Sequence, residues 1–115
     1  MERKGKLSHR IGLLHQLRIW ERENLPICRT NAGYHLFLHL SHSILSNDGV
    51  RLKNIYHSLP FSEKTLRLLL RELESSGWIE MPSKTADYRH KDVVPTAKLK
   101  SVLESWSIHM DSLFN

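Results

Sequence analysis

The chain has 115 residues, 40% of them hydrophobic, and 17 Lys plus Arg against 12 Asp plus Glu give a formal net charge of +5. This length predicts a single domain, and the basic balance suits a protein that binds nucleic acid. The sequence contains no apolar run of the about 20 residues that a membrane span needs, no export signal, and no G-x-S-x-G, HExxH, P-loop or dinucleotide motif. We therefore predict a cytoplasmic protein that is not an enzyme, has no catalytic residues, does not enter membranes and needs no cofactor.

The first predicted helix covers residues 8–24, with Ser8 as its N-cap, behind a loose basic arm at residues 1–10. Apolar residues lie on more than one side of this helix, so it should pack against its own core and against a second subunit. A connector at residues 25–30 contains the single cysteine, Cys28. One cysteine excludes an internal disulfide. We interpret Cys28 as a small buried residue, with a redox sensor as the alternative.

The second predicted helix begins at Asn31, as its cap, and ends near Ser46. Its apolar stripe consists of Leu36, Phe37, Leu40 and Ile44. His35, His39 and His42 follow at i, i+4 and i+7 on roughly the opposite face, a spacing that can hold zinc or nickel. Because no Asp, Glu or Cys stands at a matching position, we predict exposed or interface histidines and no metal site.

The segment from Val50 to Thr96 carries the clearest functional signal. Val50–Leu59 has the apolar spacing of a short helix that Pro60 ends. After a gap of about three residues (60–62), the length that a helix-turn-helix requires, a second helix follows within the run Phe61–Leu73. Its leucines, at i, i+3, i+4 and i+7, form one stripe, and cations project from the other side; the leucines are Leu66, Leu69, Leu70 and Leu73.

Local signals mark both ends of this second helix. Ser62 can cap its first turn, Glu63 lies at the positive end of the helix dipole, and Gly77 suits a left-handed C-terminal cap. An alternating strand at 78–81, a polar loop at 82–91 and a returning strand at 92–94 then predict a hairpin. A basic hairpin after a recognition helix is a wing, suited to phosphate or minor-groove contact.

The final helix, from Thr96 to about Phe114, carries a continuous apolar stripe that must be covered. Packing against the first helix of the same or a partner chain would cover it, so we predict a homodimer. The single domain then divides into the arm and first helix (1–24), a DNA-reading core (31–95) and a dimerisation helix (96–115). The predicted interface residues are Leu13, Leu17, Trp20, Leu103, Trp106, Met110, Leu113 and Phe114.

Two stretches resemble the MarR-type regulators over roughly residues 30–102. Residues 71–80, RELESSGWIE, are similar to the end of the family's recognition helix, and Asp87-Tyr88-Arg89 followed by VVPT is similar to its D-x-R wing signature. The resemblance implies that Asp87 braces the wing and that Arg89 reaches the DNA minor groove. Pro95 departs from the leucine that is usual in the family, and Leu99 stands where glycine is common.

The predicted fold is mainly α with a small β-hairpin (α+β), a winged helix-turn-helix flanked by dimerisation helices. The predicted function is a homodimeric transcription regulator that binds duplex DNA sequence-specifically, with a small-molecule effector left open. The alternatives are a winged-helix module that docks proteins, and a DNA-binding protein of plasmid, phage or mobile-element machinery. The predicted DNA-binding residues are Arg51, Lys53, Ser62, Lys64, Thr65, Arg67, Leu68, Arg71, Lys84, Asp87, Arg89, His90 and Lys91.

Overall fold

The computed structural model describes residues 2–47, 49–81 and 92–115. In these residues five helices and three short strands follow one another. They are α1 (Glu2–Asn24), α2 (Asn31–Asn47), β1 (Val50–Arg51), α3 (Leu52–Ser58), α4 (Glu63–Ser75), β2 (Ile79–Glu80), β3 (Asp92–Pro95) and α5 (Ala97–Phe114). The predicted α+β class, mainly helical with a small sheet, is confirmed.

One hydrophobic core joins all the helices. The predicted stripe of α2 lies in it, with Phe37 and Leu40 each 1% exposed. The inward leucines of α4 and Val93 of β3 pack into the same cluster. A core shared in this way sets the orientation of α4, whose opposite face is therefore left to solvent.

The N-terminal arm predicted for residues 1–10 is wrong for the part that the structure describes, because α1 already begins at Glu2. Ser8 consequently lies inside the helix and does not cap it. The run before Ser8 is rich in Lys and Arg, which are good helix formers, so no local signal stops the helix there. Its side chains at 3–11 are all exposed.

The N-cap of α2 is Thr30, one residue before the predicted cap at Asn31. The Gly33 amide donates to Thr30 Oγ1 at 3.1 Å, which satisfies a free donor of the first turn. Position 33 requires glycine because the connector backbone passes close to it: a Cβ there would lie 1.8 Å from the Ile27 carbonyl oxygen. The connector 25–30 therefore packs directly onto the start of α2.

The helix-turn-helix is confirmed, with α3 and α4 separated by residues 59–62. The predicted helix over Val50–Leu59 is wrong at its start, because Val50 and Arg51 form β1 and pair with β3 (Val50 with Val93, Arg51 with Asp92). Strand β3 also pairs with β2, which gives an antiparallel sheet of order β1-β3-β2. The sheet holds the base of the wing against the helix-turn-helix.

A buried polar cluster ties α1, α2 and α5 together. Glu21 of α1 is 1% exposed; its Oε1 accepts from the Tyr34 hydroxyl at 2.8 Å and its Oε2 from Trp106 Nε1 at 2.9 Å. The Trp106 ring packs on Phe37, with the ring centroids 5.7 Å apart.

The cluster also explains the burial of Trp106, which the sequence predicts at a dimer interface. Trp106 is 8% exposed within the single chain, because its indole fills the space between α5, α1 and α2.

Candidate nucleic-acid interface

The outermost stripe of α4 is Lys64, Leu68, Arg71 and Ser75, at i, i+4, i+7 and i+11. This spacing places them on one side of the helix, opposite the buried Leu66, Leu70 and Leu73. All four outward side chains are exposed. The structure thus brings two of the predicted DNA-binding cations, Lys64 and Arg71, to the most accessible line of α4.

Arg67 is exposed as well, but it lies to one side of this stripe and is already engaged. Its Nη2 forms an ion pair with Glu63 Oε1 at 2.6 Å. A hydrogen bond with the Tyr56 side chain and the nearby Glu63 carboxylate raise the pKa of the guanidinium, which stays charged. Arg67 must exchange these partners before it can contact a base or a phosphate.

The acidic residues of α4 flank the outward stripe. Glu63 and Glu74 lie towards the Arg67 side, and Glu72 lies on the other side. They balance the three cations of the helix, so α4 as a whole is not basic. The positive charge that a polyanion would meet is therefore confined to the line from Lys64 to Arg71, and sequence counting alone does not show this.

Ser62 and Thr65 stabilise the start of α4. Ser62 Oγ accepts from the Thr65 amide at 3.1 Å, as predicted for an N-cap, and the Ser62 hydroxyl donates to Thr65 Oγ1 at 2.9 Å. Both residues are exposed at the N-terminal end of α4. In helix-turn-helix proteins this end of the second helix contacts base edges in the major groove. Their hydroxyls serve the cap in the free protein.

The C-terminal end of α4 is fixed by the predicted cap at Gly77 and by two further residues, Thr96 and Lys98. Gly77 adopts the predicted left-handed conformation, with φ of 82°. The Thr96 hydroxyl lies 2.7 Å from the Gly77 carbonyl oxygen. Lys98 Nζ donates to the Ser76 carbonyl at 2.8 Å and lies 4.2 Å from the centroid of the Trp78 ring. These contacts join the start of α5 to the turn that ends α4.

Arg51 and Lys53, the other predicted contacts in this part of the chain, are exposed at the junction of β1 and α3. Arg51 Nε lies 3.9 Å from Asp92 Oδ1, across the strand pair at the base of the wing. An exposed pair at this distance is weak, so the guanidinium is available to a phosphate. The predicted wing residues Lys84, Asp87, Arg89, His90 and Lys91 lie outside the described residues.

The three histidines of α2 do not form a cluster of equal exposure. His35 and His42 are exposed, while His39 is half-buried. Burial and the charge of His42 lower the pKa of His39. Among residues 2–47, 49–81 and 92–115, no group of His, Cys, Asp and Glu side chains is arranged to hold a metal ion.

Cys28 is fully buried, as the sequence predicted. Burial raises the pKa of its thiol to about 12, against the opposing charge of Arg18. Arg18 Nη2 donates to the Cys28 carbonyl at 2.6 Å, which anchors the connector to α1. A buried thiol with a raised pKa is a poor nucleophile.

Within the part of the chain that the structure describes, no helix is both long enough and apolar enough to cross a bilayer.

Neither a protein-family profile nor a curated protein sequence matches the chain. Solved structures do. The crystal structure of overoxidized AbfR bound to DNA aligns with a TM-score of 0.61 and 20% identity, over 96% of this chain and 78% of that one. AbfR of Staphylococcus epidermidis aligns with a TM-score of 0.58 and 18% identity, over 99% and 79%. The transcriptional regulator PA3341 aligns with a TM-score of 0.57 and 22% identity, over 96% and 73%. The winged helix-turn-helix fold that the MarR resemblance implied is therefore confirmed.

Proposed function

We propose that this protein is a homodimeric transcription regulator that binds duplex DNA sequence-specifically by placing α4 in the major groove. The observation that carries the proposal is the outward stripe of α4, where Lys64 and Arg71 stand free of the acidic side chains that flank them. A recognition helix needs this arrangement, because an inward apolar face fixes it while an outward face meets bases and phosphates.

The fold comparisons support the same function. AbfR is seen bound to DNA in both its overoxidized and its reduced forms, and PA3341 is described as a transcriptional regulator. These proteins share the fold over nearly the whole of this chain. A DNA-binding regulator also accounts for the basic charge of +5 without a catalytic site.

The homodimer is proposed from apolar surface that the single chain leaves uncovered. Leu7, Ile11 and Leu14 form an i, i+4, i+7 stripe on α1, each more than half exposed, and Ile108 and Phe114 are exposed on α5. Of the predicted interface residues, Phe114 is exposed, whereas Leu13 and Leu113 are half-buried. Leu17, Trp20, Leu103 and Met110 pack partly against the core of their own chain. The outer faces of α1 and α5 are thus the proposed interface.

A two-fold dimer would place its recognition helices about 34 Å apart, one turn of DNA, and so predicts two inverted half-sites. Sedimentation tests the dimer independently of DNA. Leu14→Glu would place a charge on the exposed stripe of α1 and should yield a monomer that is still folded. Leu45→Glu, at a leucine of α2 that is 75% exposed, is the matched control and should leave the dimer intact.

Two variants of α4 distinguish DNA binding from the alternative, a winged-helix module that docks proteins. Arg71→Ala should weaken binding to the preferred duplex by roughly 1–3 kcal/mol and relax its specificity, since a base contact is lost. Arg67→Ala should cost less, because Arg67 gives up its ion pair with Glu63 on binding. Lys100→Ala removes an exposed cation of α5 and serves as control. If Arg71→Ala and Arg67→Ala both bind like the parent, α4 is not the DNA-contacting element.

A further inference from the structure

Leu68 differs from every other leucine of α4. It is 55% exposed on the outward stripe, whereas the remaining leucines of the helix are buried or half-buried. Among the described residues between 49 and 81, it is the one large hydrophobic side chain that is exposed. The helix-turn-helix therefore presents a single apolar group on the face proposed to meet DNA.

An isolated exposed leucine is ordinary on a protein surface, so what distinguishes Leu68 is its position between two exposed cations. Leu68 lies one helical turn after Lys64 and just under one turn before Arg71, on the same line. If Lys64 and Arg71 contact phosphates or base edges, the Leu68 side chain between them would lie against the base edges at the floor of the groove. Leu68 is also in the N-terminal half of α4, the half that contacts base edges in helix-turn-helix proteins.

The chemistry of the groove then limits what Leu68 can recognise. The side chain has no donor or acceptor, so a polar base edge that it covers loses water without gaining a hydrogen bond, which is unfavourable. The apolar group on the base edges of the major groove is the 5-methyl of thymine. Packing on that methyl buries the most apolar surface that a base edge of the groove offers to a leucine.

We propose that Leu68 is a specificity-determining residue that selects thymine at one position of the half-site by packing against its 5-methyl group. The proposal rests on the proposed DNA-binding function and refines it. Leu68 then adds an apolar contact that discriminates thymine to the affinity, orientation and base contact proposed for Lys64 and Arg71.

The test replaces each thymine of the preferred duplex in turn with uracil, which removes one methyl and no hydrogen-bonding group. The wild-type protein should lose about fourfold in affinity at one thymine of the half-site, the value for one methyl group buried from water, and little at the others. Leu68→Ala should bind the thymine and uracil duplexes equally well. Leu68→Met, which keeps an apolar contact, should retain the preference. Leu45→Ala, on α2, should behave as wild type.

The outcomes separate this proposal from the function on which it rests. Wild-type binding that tolerates uracil at every position overturns the thymine contact and leaves DNA binding intact. Sensitivity to uracil that survives unchanged in Leu68→Ala also overturns it, because another group then contacts the methyl. Failure of the wild-type protein to bind any duplex at low salt overturns both.

Discussion

The buried carboxylate of Glu21 gives the sharpest test of how the helices are held together. Each of its oxygens accepts one hydrogen bond, from Tyr34 of α2 and from Trp106 of α5. Burial, followed by the hydrogen bond to Glu21, raises the pKa of Tyr34 to about 12, so its hydroxyl remains a donor. We compare Glu21→Ala, which removes the acceptor, with Glu21→Gln, which keeps its shape.

Glu21→Ala leaves the Trp106 N–H buried without an acceptor, at a cost of about 1–3 kcal/mol. The half-buried Tyr34 hydroxyl can turn to water and adds less, so we expect the free energy of unfolding to fall by about 2–4 kcal/mol in total. That is a large share of the roughly 5–15 kcal/mol by which a domain is stable. Glu21→Gln can accept from Trp106 with its amide oxygen and donate to Tyr34 Oη with its nitrogen. It loses a charge-assisted bond but buries no carboxylate, so the change should stay within about 1 kcal/mol.

Urea unfolding measures both variants, with Glu23→Ala as an exposed control on the same helix. The slope of the transition should be unchanged, which shows that a shift in midpoint reports stability. Equal losses for Glu21→Ala and Glu21→Gln, or a loss below about 1 kcal/mol for Glu21→Ala, would show that the two hydrogen bonds of Glu21 do not stabilise the packing of the helices.

Three further outcomes follow from local geometry. Gly33→Ala should lower the melting temperature, because its Cβ would collide with the Ile27 carbonyl oxygen. Gly12→Ala adds a Cβ in open space inside α1 and should raise stability by about 0.5–1 kcal/mol. If both variants changed stability in the same direction, the connector would not lie against Gly33. The Cys28 thiol should resist alkylation at pH 8 until the protein is unfolded, because it is buried with a pKa of about 12; rapid labelling of the native protein would contradict this. The pKa of His39 is lowered on folding from 6.5, so the unfolded chain binds its proton first and stability should fall as pH drops below about 6.5. His39→Gln should flatten that dependence in melts between pH 5 and 7, and an unchanged profile would exclude His39 as its source.

Local signals explain why the recognition helix could be predicted. Ser62, the leucine spacing and Gly77 act within a few residues of one another, and the structure places each of them as expected. The start of α1 was predicted wrongly because a local signal was present without a helix end. Ser8 has the chemistry of a cap, but nothing before it ends a helix, and α1 runs through it.

Contacts between distant parts of the chain could not be predicted. β1 has only two residues, and it exists because Val50 pairs with Val93. The bond from Trp106 to Glu21 spans 85 positions, and without it Trp106 is one more apolar residue on a stripe that a partner could cover. The pairing of Arg67 with Glu63 is local, yet its geometry decides which cations of α4 remain free.

Selection of bound sequences from random duplex DNA, followed by titration of the best sequence at several salt concentrations, shows whether this protein binds duplex DNA sequence-specifically. We predict one enriched site made of two inverted half-sites, with an affinity whose log–log slope against salt grows by about 0.9 for each phosphate contacted. Loss of that enrichment in Arg71→Ala would locate the contact on α4. The absence of an enriched sequence, together with no duplex binding at low salt, would contradict the proposed DNA-binding function.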